Sequence, residues 1–427
     1  VLTSLLPDPR PPRATARFSG WRIVAVAAIA LGMTGPGQTP GVSVFVDPMI
    51  ETLVLSRSEV STAYLIGTLA GAFALPSAGR FLDARGARLT MAVVGGMFGV
   101  VLMAMAGVAG IITLTLGFTG IRMFGQGALG LTATTAPAPW FDRRRGLAIG
   151  VTTAVGSAVL SLFPLLAAAI IPALGWRVAW IVTGLTIWLV VVPLAVRVMI
   201  DHPHDVGQEP DGAAARDDAD EVARAAAADS HTRAEALRTP MFWAVAGATA
   251  ATGMIVTGLA FHQIDLLGEQ GLTPVEAAAN FLPQTVASLL ATLGVGSMLD
   301  RFAARWVLTI SMLLLMAAMV GVVLVGPDWT AIAYGMTVGA AGASARALEA
   351  ASFPKLFGLA HIGSIRGVVT AIAVGSTAFG PLALALGRDL TGSYELVLRL
   401  LLVFPAAVIV LGLFAPTPIR DRRTPAH

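Results

Sequence analysis

The sequence predicts an all-α polytopic membrane protein, with twelve transmembrane helices in two pseudo-symmetric six-helix halves, and three observations predict it. The first is composition. Of the 427 residues, 56% are hydrophobic and 12% charged, with a mean hydropathy of +0.78, whereas about a quarter of the residues in soluble domains are charged. The second is spacing, because twelve apolar runs of spanning length fall six and six around one polar break. The third is an internal repeat: Gly79 to Arg88, GRFLDARGAR, returns at Gly296 to Arg305 as GSMLDRFAAR. The copies lie about half a chain apart, as duplication of a helical bundle produces.

A hydrocarbon core needs about 20 apolar residues per crossing. Such runs fall near 21–46, 60–82, 88–107, 110–138, 146–171 and 176–199, then near 241–266, 274–299, 304–325, 329–353, 364–387 and 394–415. Each is expected to be helical, because hydrocarbon offers the backbone no other hydrogen-bond partner. The domain limits follow: a tail at 1–20, a bundle at 21–200, a linker at 201–240, a second bundle at 241–415 and a tail at 416–427. The linker is expected to carry a short surface helix near 220–236, and its roughly forty residues are too few for a core of their own. The first span follows Arg10, Arg13 and Arg17 directly and exceeds a signal-peptide core, so it reads as an uncleaved span.

Basic residues set the orientation. Of the 28 lysines and arginines, Arg122 and Arg346 lie inside spans, and only Arg57, Arg177, Arg388 and Arg399 fall on one side. The remaining twenty-two fall on the other, which predicts a multi-pass protein of the inner or plasma membrane with both termini cytoplasmic. The pI near 9.9 is therefore topological, with the lipid bilayer as the partner and no nucleic acid. There is no cysteine, and the six histidines form no helix-spaced ligand pair within a span; neither metal nor other cofactor is expected. No nucleophile with a base is evident, which argues against an enzyme. A monomer is expected.

Within the spans, glycine pairs at four-residue spacing (Gly37 and Gly41, Gly67 and Gly71, Gly146 and Gly150) are expected to pack helices closely. The first span carries Gly35-Pro36-Gly37-Gln38-Thr39-Pro40-Gly41 near its middle. Proline removes a donor and clashes with the preceding turn, so a break is expected there, with Gln38 and Thr39 beside exposed carbonyls. Arg122 lies near mid-bilayer, where a guanidinium costs several kcal/mol against lipid and normally faces a cavity, a counter-charge or an anion; Gln126 follows one turn on. Arg346 and Glu349 share a face of the tenth span, where they are expected either to neutralise each other or to serve substrate and proton. His262, Gln263 and Asp265 near the end of the seventh span, and Asn280 and Gln284 on the eighth, are further candidates for binding or capping.

The loop residues Gly79, Asp83, Arg85, Gly86 and Arg88 resemble the loop between helices two and three of the major facilitator superfamily, with Ala84 standing where that family has arginine. Gly296, Asp300, Arg301 and Arg305 resemble its equivalent between helices eight and nine. Arg122, Gln126 and Gly127 are similar to the fourth-helix motif. Trp140, Phe141, Arg145, Gly150, Gly156, Gly175, Trp176 and Arg177, with Arg366, Gly367, Gly380, Pro381, Asp389 and Gly392, resemble bacterial members of the monocarboxylate porter and oxalate-formate exchanger branch. The basic residues those porters carry inside helices eight and eleven are absent. The resemblance implies secondary active transport by rocking of two halves, with helices one, four, seven and ten lining the cavity and both loop copies forming a cytoplasmic gate. A small, monocarboxylate-like organic anion in symport with protons is the expected cargo. The alternatives are efflux of a hydrophobic or drug-like compound, or a receptor or regulatory subunit of the same fold that transports nothing.

Overall fold

The computed structural model describes residues 18–211, 231–358 and 361–416. Of the linker helix expected near 220–236, only the end lies within these, as the turn Arg233–Leu237. Twelve helical rods run through the described residues. The first, α1, is in pieces: Gly20–Gly32, a 3-10 turn Gly35–Gly37, and Thr39–Leu53. Helices α2 and α3 are the limbs of Arg57–Met105, and α5 and α6 those of Arg145–Arg197. At 1.5 Å per residue, 49 or 53 residues would reach more than twice across a bilayer, so each must fold back. They do so at Gly86 (φ 76°) and Gly175 (φ 74°), in the left-handed region that a side chain disfavours. Helix α4 is Ile111–Gly120, a π-helical stretch Ile121–Leu129, and Gly130–Thr135.

In the second half, α7 comprises Pro240–Phe261 and Gln263–Gly268, and α8 comprises Pro274–Ala279 and Phe281–Arg301. Then come α9 (Ala304–Gly321), α10 (Trp329–Phe357), α11 (Ile362–Thr391) and α12 (Glu395–Leu401 with Val403–Phe414). Large apolar side chains such as Leu189, Leu293 and Phe414 project outward from the rods, as lipid-facing positions do. Trp21, Trp243, Trp306 and Trp329 are exposed within the first turn of a helix, the depth at which amphipathic rings meet a membrane interface.

The repeat is visible in detail. Ser56 accepts from the Glu59 N–H while Glu59 accepts from the Ser56 N–H, a reciprocal cap that opens α2. Thr273 and Glu276 repeat it at the start of α8, at the same 217-residue offset that separates Gly79 from Gly296. The chain reversals correspond too: Gly86 between α2 and α3, and extended Phe302 and Ala303 between α8 and α9. The first connection is shorter than the loop expected from the sequence, since α2 stays helical past Asp83 and turns only at Gly86. The Asp201 carboxylate, from the end of α6, makes so short a reversal possible by accepting the Arg88 N–H at 2.8 Å and thus satisfying the exposed start of α3.

Two of the three glycine pairs pack as expected. A Cβ on Gly37 would lie 2.9 Å from the Cα of Gly125, and one on Gly71 would lie 3.1 Å from the Cβ of Arg122. Gly41 closes onto the Gly35 carbonyl, and Gly67 onto Phe118 and Thr119. Gly146 and Gly150 depart from the expectation, because a Cβ on either would meet no atom of another element within 4 Å.

Candidate functional site

Helices α2, α4, α7, α10 and α11 enclose a cavity of about 420 Å³. Arg122 and Gln126 reach it from α4 and Arg346 from α10; Thr68, Thr249, Thr252, Thr257 and Thr377 add hydroxyls, and Leu75, Leu131 and Val256 supply apolar wall. No aspartate, glutamate or histidine is among the lining residues. Helix α1, expected to line this space, instead backs Arg122, while α2 and α11 take its place on the wall.

Arg122 stands in the π-helical stretch, a local widening frequent at functional sites. Its side chain is 6% exposed. Nη1 donates to the Gly37 carbonyl at 3.3 Å, and the guanidinium carbon lies 5.0 Å from the centre of the Tyr64 ring. The Gly37 carbonyl is free to accept because Gly35-Pro36-Gly37 has left the α-helical ladder. The close approach of Gly37 to Gly125 brings it within reach. Among the described residues Arg122 Nε has no acceptor, and no carboxylate pairs with this cation.

Arg346 is exposed to the cavity and makes no hydrogen bond or ion pair among the described residues. The expected pairing with Glu349 does not form. Helical side chains lean toward the N-terminus, and Arg346 accordingly lies back along α10 toward Gly342. Glu349 lies beyond it in the opposite direction and accepts from Arg366 Nε of α11 at 2.9 Å. Arg346 also borders a smaller recess of about 130 Å³ with Pro40, Ser161 and Gln284.

One end of the cavity is closed by charge. Arg57 Nη2 lies 2.8 Å from Asp47 and 3.2 Å from Asp265, which belongs to the other half. The Ser58 N–H donates to Asp389 across the same divide at 2.9 Å. Tyr394 donates to Asp265 at 2.7 Å, and Arg388 pairs with Glu269 at 2.9 Å. The Arg57 to Asp265 and Ser58 to Asp389 contacts both join the two halves at this end. At the opposite end, Asp83, Arg85 and Arg301 are exposed and Arg305 is half-buried; none of the four makes an ion pair among the described residues. Asp83 and Arg85 border a recess of about 540 Å³ with Asp201 and His202. Arg88 donates within its own half to the Val196 carbonyl. A Cβ on Gly79, in α2, would meet only Leu131, at 3.9 Å, and the surroundings of Gly296 and the Asp300 side chain lie outside the described residues.

The other candidates are engaged internally. Gln38 donates to Thr34 at 3.1 Å, and Thr39 shares a 2.7 Å hydrogen bond with Tyr64. His262 Nε2 must carry a proton, since its partner at 2.8 Å is the Pro381 carbonyl, which only accepts. Gln263, Gln284 and Asn280 form a chain ending on the Ala277 and Ala331 carbonyls, and it ties α7, α8 and α10 together. Sequence reasoning missed the threonines of α7. Thr249, Thr252, Gly253, Val256 and Thr257 fall at i, i+3, i+4, i+7 and i+8, a single helical face, and that periodicity was the available signal.

Two helical halves around a central cavity, sealed at one end by ion pairs, describe a membrane transporter of the alternating-access kind. The Major Facilitator Superfamily model matches residues 23–381, and the chain belongs to that superfamily. No curated protein matches the sequence. Among solved structures, a bacterial homologue of the human lysosomal transporter Spinster is similar in two states. Its inward-facing, occupied form has a TM-score of 0.71 at 15% identity, covering 96% of this chain and 100% of that one. Its inward-facing, unoccupied form has a TM-score of 0.68 at 17% identity with the same coverage. At these identities the likeness is one of fold. It agrees with the fold class predicted from the sequence, and membership of the superfamily makes the chain a transporter rather than an enzyme.

Proposed function

We propose that this transporter carries a small organic anion by alternating access, with Arg122 as the anion-binding group. The observation that carries the reading is a buried guanidinium beside a central cavity that contains no carboxylate. Removing a charge from water is costly unless a partner compensates it, and a guanidinium matches a carboxylate in shape and hydrogen bonding. The same cavity disfavours the alternative cargo, a hydrophobic or drug-like compound, which would leave the buried Arg122 guanidinium uncompensated. A receptor that transports nothing gains no support from a cavity with this charge.

The cavity is assigned to the cytoplasmic side in this conformation, because the described basic residues of the arginine-rich face, among them Arg80, Arg85, Arg88 and Arg301, lie at the end opposite the Arg57 to Asp265 bridge. Both termini then lie in the cytoplasm, and the bilayer is the inner or plasma membrane. Proton symport by a monomer is the coupling we assign, with Glu349 as the carrier. It stands one turn beyond Arg346, and protonation would release Arg366 and with it the contact between α10 and α11. The sequence resemblance supports a monocarboxylate-like substrate class, which a second cation in the cavity, Arg346, extends toward acids with a further carboxylate. A thermal-shift screen of organic acids tests the binding role: acids are expected to stabilise the wild type and not the folded Arg122→Ala variant, and equal stabilisation of both would remove the anion reading.

A further inference from the structure

Resting on that anion reading, we propose that the substrate is a short dianion, a dicarboxylate with one carboxylate at Arg122 and the other at Arg346, so that it joins the two halves. The two arginines belong to opposite bundles yet line one cavity of about 420 Å³. A round space of that volume would be about 9 Å across. That leaves room for a short chain between two carboxylates, each against a guanidinium.

Charge balance argues for two poles. Both side chains stay protonated at any physiological pH, so neither cation is removed by losing a proton. Among the described residues, Arg122 keeps a buried Nε without an acceptor, Arg346 has no polar partner, and no acidic residue lines the space. A monoanion would neutralise one guanidinium and leave the other uncompensated. The same wall carries Leu75, Val256 and Ala373, which suit methylene groups.

Binding titrations followed by thermal shift near neutral pH compare butanedioate, pentanedioate and hexanedioate with butanoate, pentanoate and hexanoate. At least one diacid is expected to bind about 10- to 100-fold more tightly than the monoacid of equal length, the value of one further charge-assisted contact. Arg346→Gln should abolish the preference, bringing that diacid to the affinity its monoacid has in the same variant; Arg346→Lys should keep part of the preference. Equal affinities in the wild type, or an undiminished diacid preference in Arg346→Gln, would overturn the dianion. In that case monoacid binding that is lost in Arg122→Ala still upholds the anion reading, so the two failures are distinguishable. Binding of no acid contradicts both. If Arg346→Gln does not fold, the wild-type comparison and Arg346→Lys decide the matter.

Discussion

The Arg57 guanidinium lies 2.8 Å from the Asp47 carboxylate of its own half and 3.2 Å from the Asp265 carboxylate of the other. One cation thus holds two anions together across the divide that must open for the cavity to change sides. Replacing Arg57 with alanine removes the bridge and leaves two carboxylates facing each other. Loss of one charge-assisted contact, about 1.5–3 kcal/mol, should raise the population open at this end about tenfold or more. The chain has no cysteine, so a single cysteine replacing the cavity-lining Thr68 reports it cleanly. Labelling from the Arg57 face should become faster in the Arg57→Ala background, and an unchanged rate would contradict the latch.

Gly86→Ala should destabilise the protein, while Gly150→Ala should not. At Gly86 the backbone has φ 76°, and a Cβ would lie 2.6 Å from the Asp201 carboxylate, which has to stay in place to accept the Arg88 N–H. At Gly150, inside a helix with open space around it, alanine is expected to add about 0.5–1 kcal/mol of stability. Thermal unfolding in detergent checks both signs.

Asn280→Ala should cost about 1–3 kcal/mol. Its amide donates to the Ala331 carbonyl of α10 and its oxygen accepts from Gln284, so truncation leaves buried groups unpaired. The same unfolding measurement gives the loss. The relative affinities of different acids should be unchanged, since Asn280 does not line the cavity.

Glu349→Gln keeps a hydrogen-bonding partner for Arg366 but cannot release a proton. In reconstituted vesicles it is expected to exchange substrate across the membrane while failing to accumulate it on a pH gradient. Intact accumulation would assign the proton to another group.

Much of the fold was legible because membrane helices follow one rule, that a long apolar run must satisfy its own backbone. The duplicated loop and the deep Arg122 were readable for the same reason, since charge inside an apolar run stands out. Partners were harder to read. Glu349 is three residues from Arg346 in sequence, yet it pairs with Arg366, because side-chain lean turns Arg346 the other way and α11 brings a second cation. Asn280 and Gln263 stood out as polar residues in apolar runs, but polarity alone does not separate a cavity wall from a helix-to-helix tie. Gly150 looked like a packing glycine only because spacing says nothing about what lies opposite.

The most direct test of the account is uptake of radiolabelled organic acid into vesicles containing the wild type or Arg122→Ala, with folding of each verified by gel filtration. The account predicts uptake by the wild type and its loss, by about 100-fold or more, in the variant, for the removal of a buried charge-assisted contact. Uptake by Arg122→Ala at the wild-type rate would contradict it.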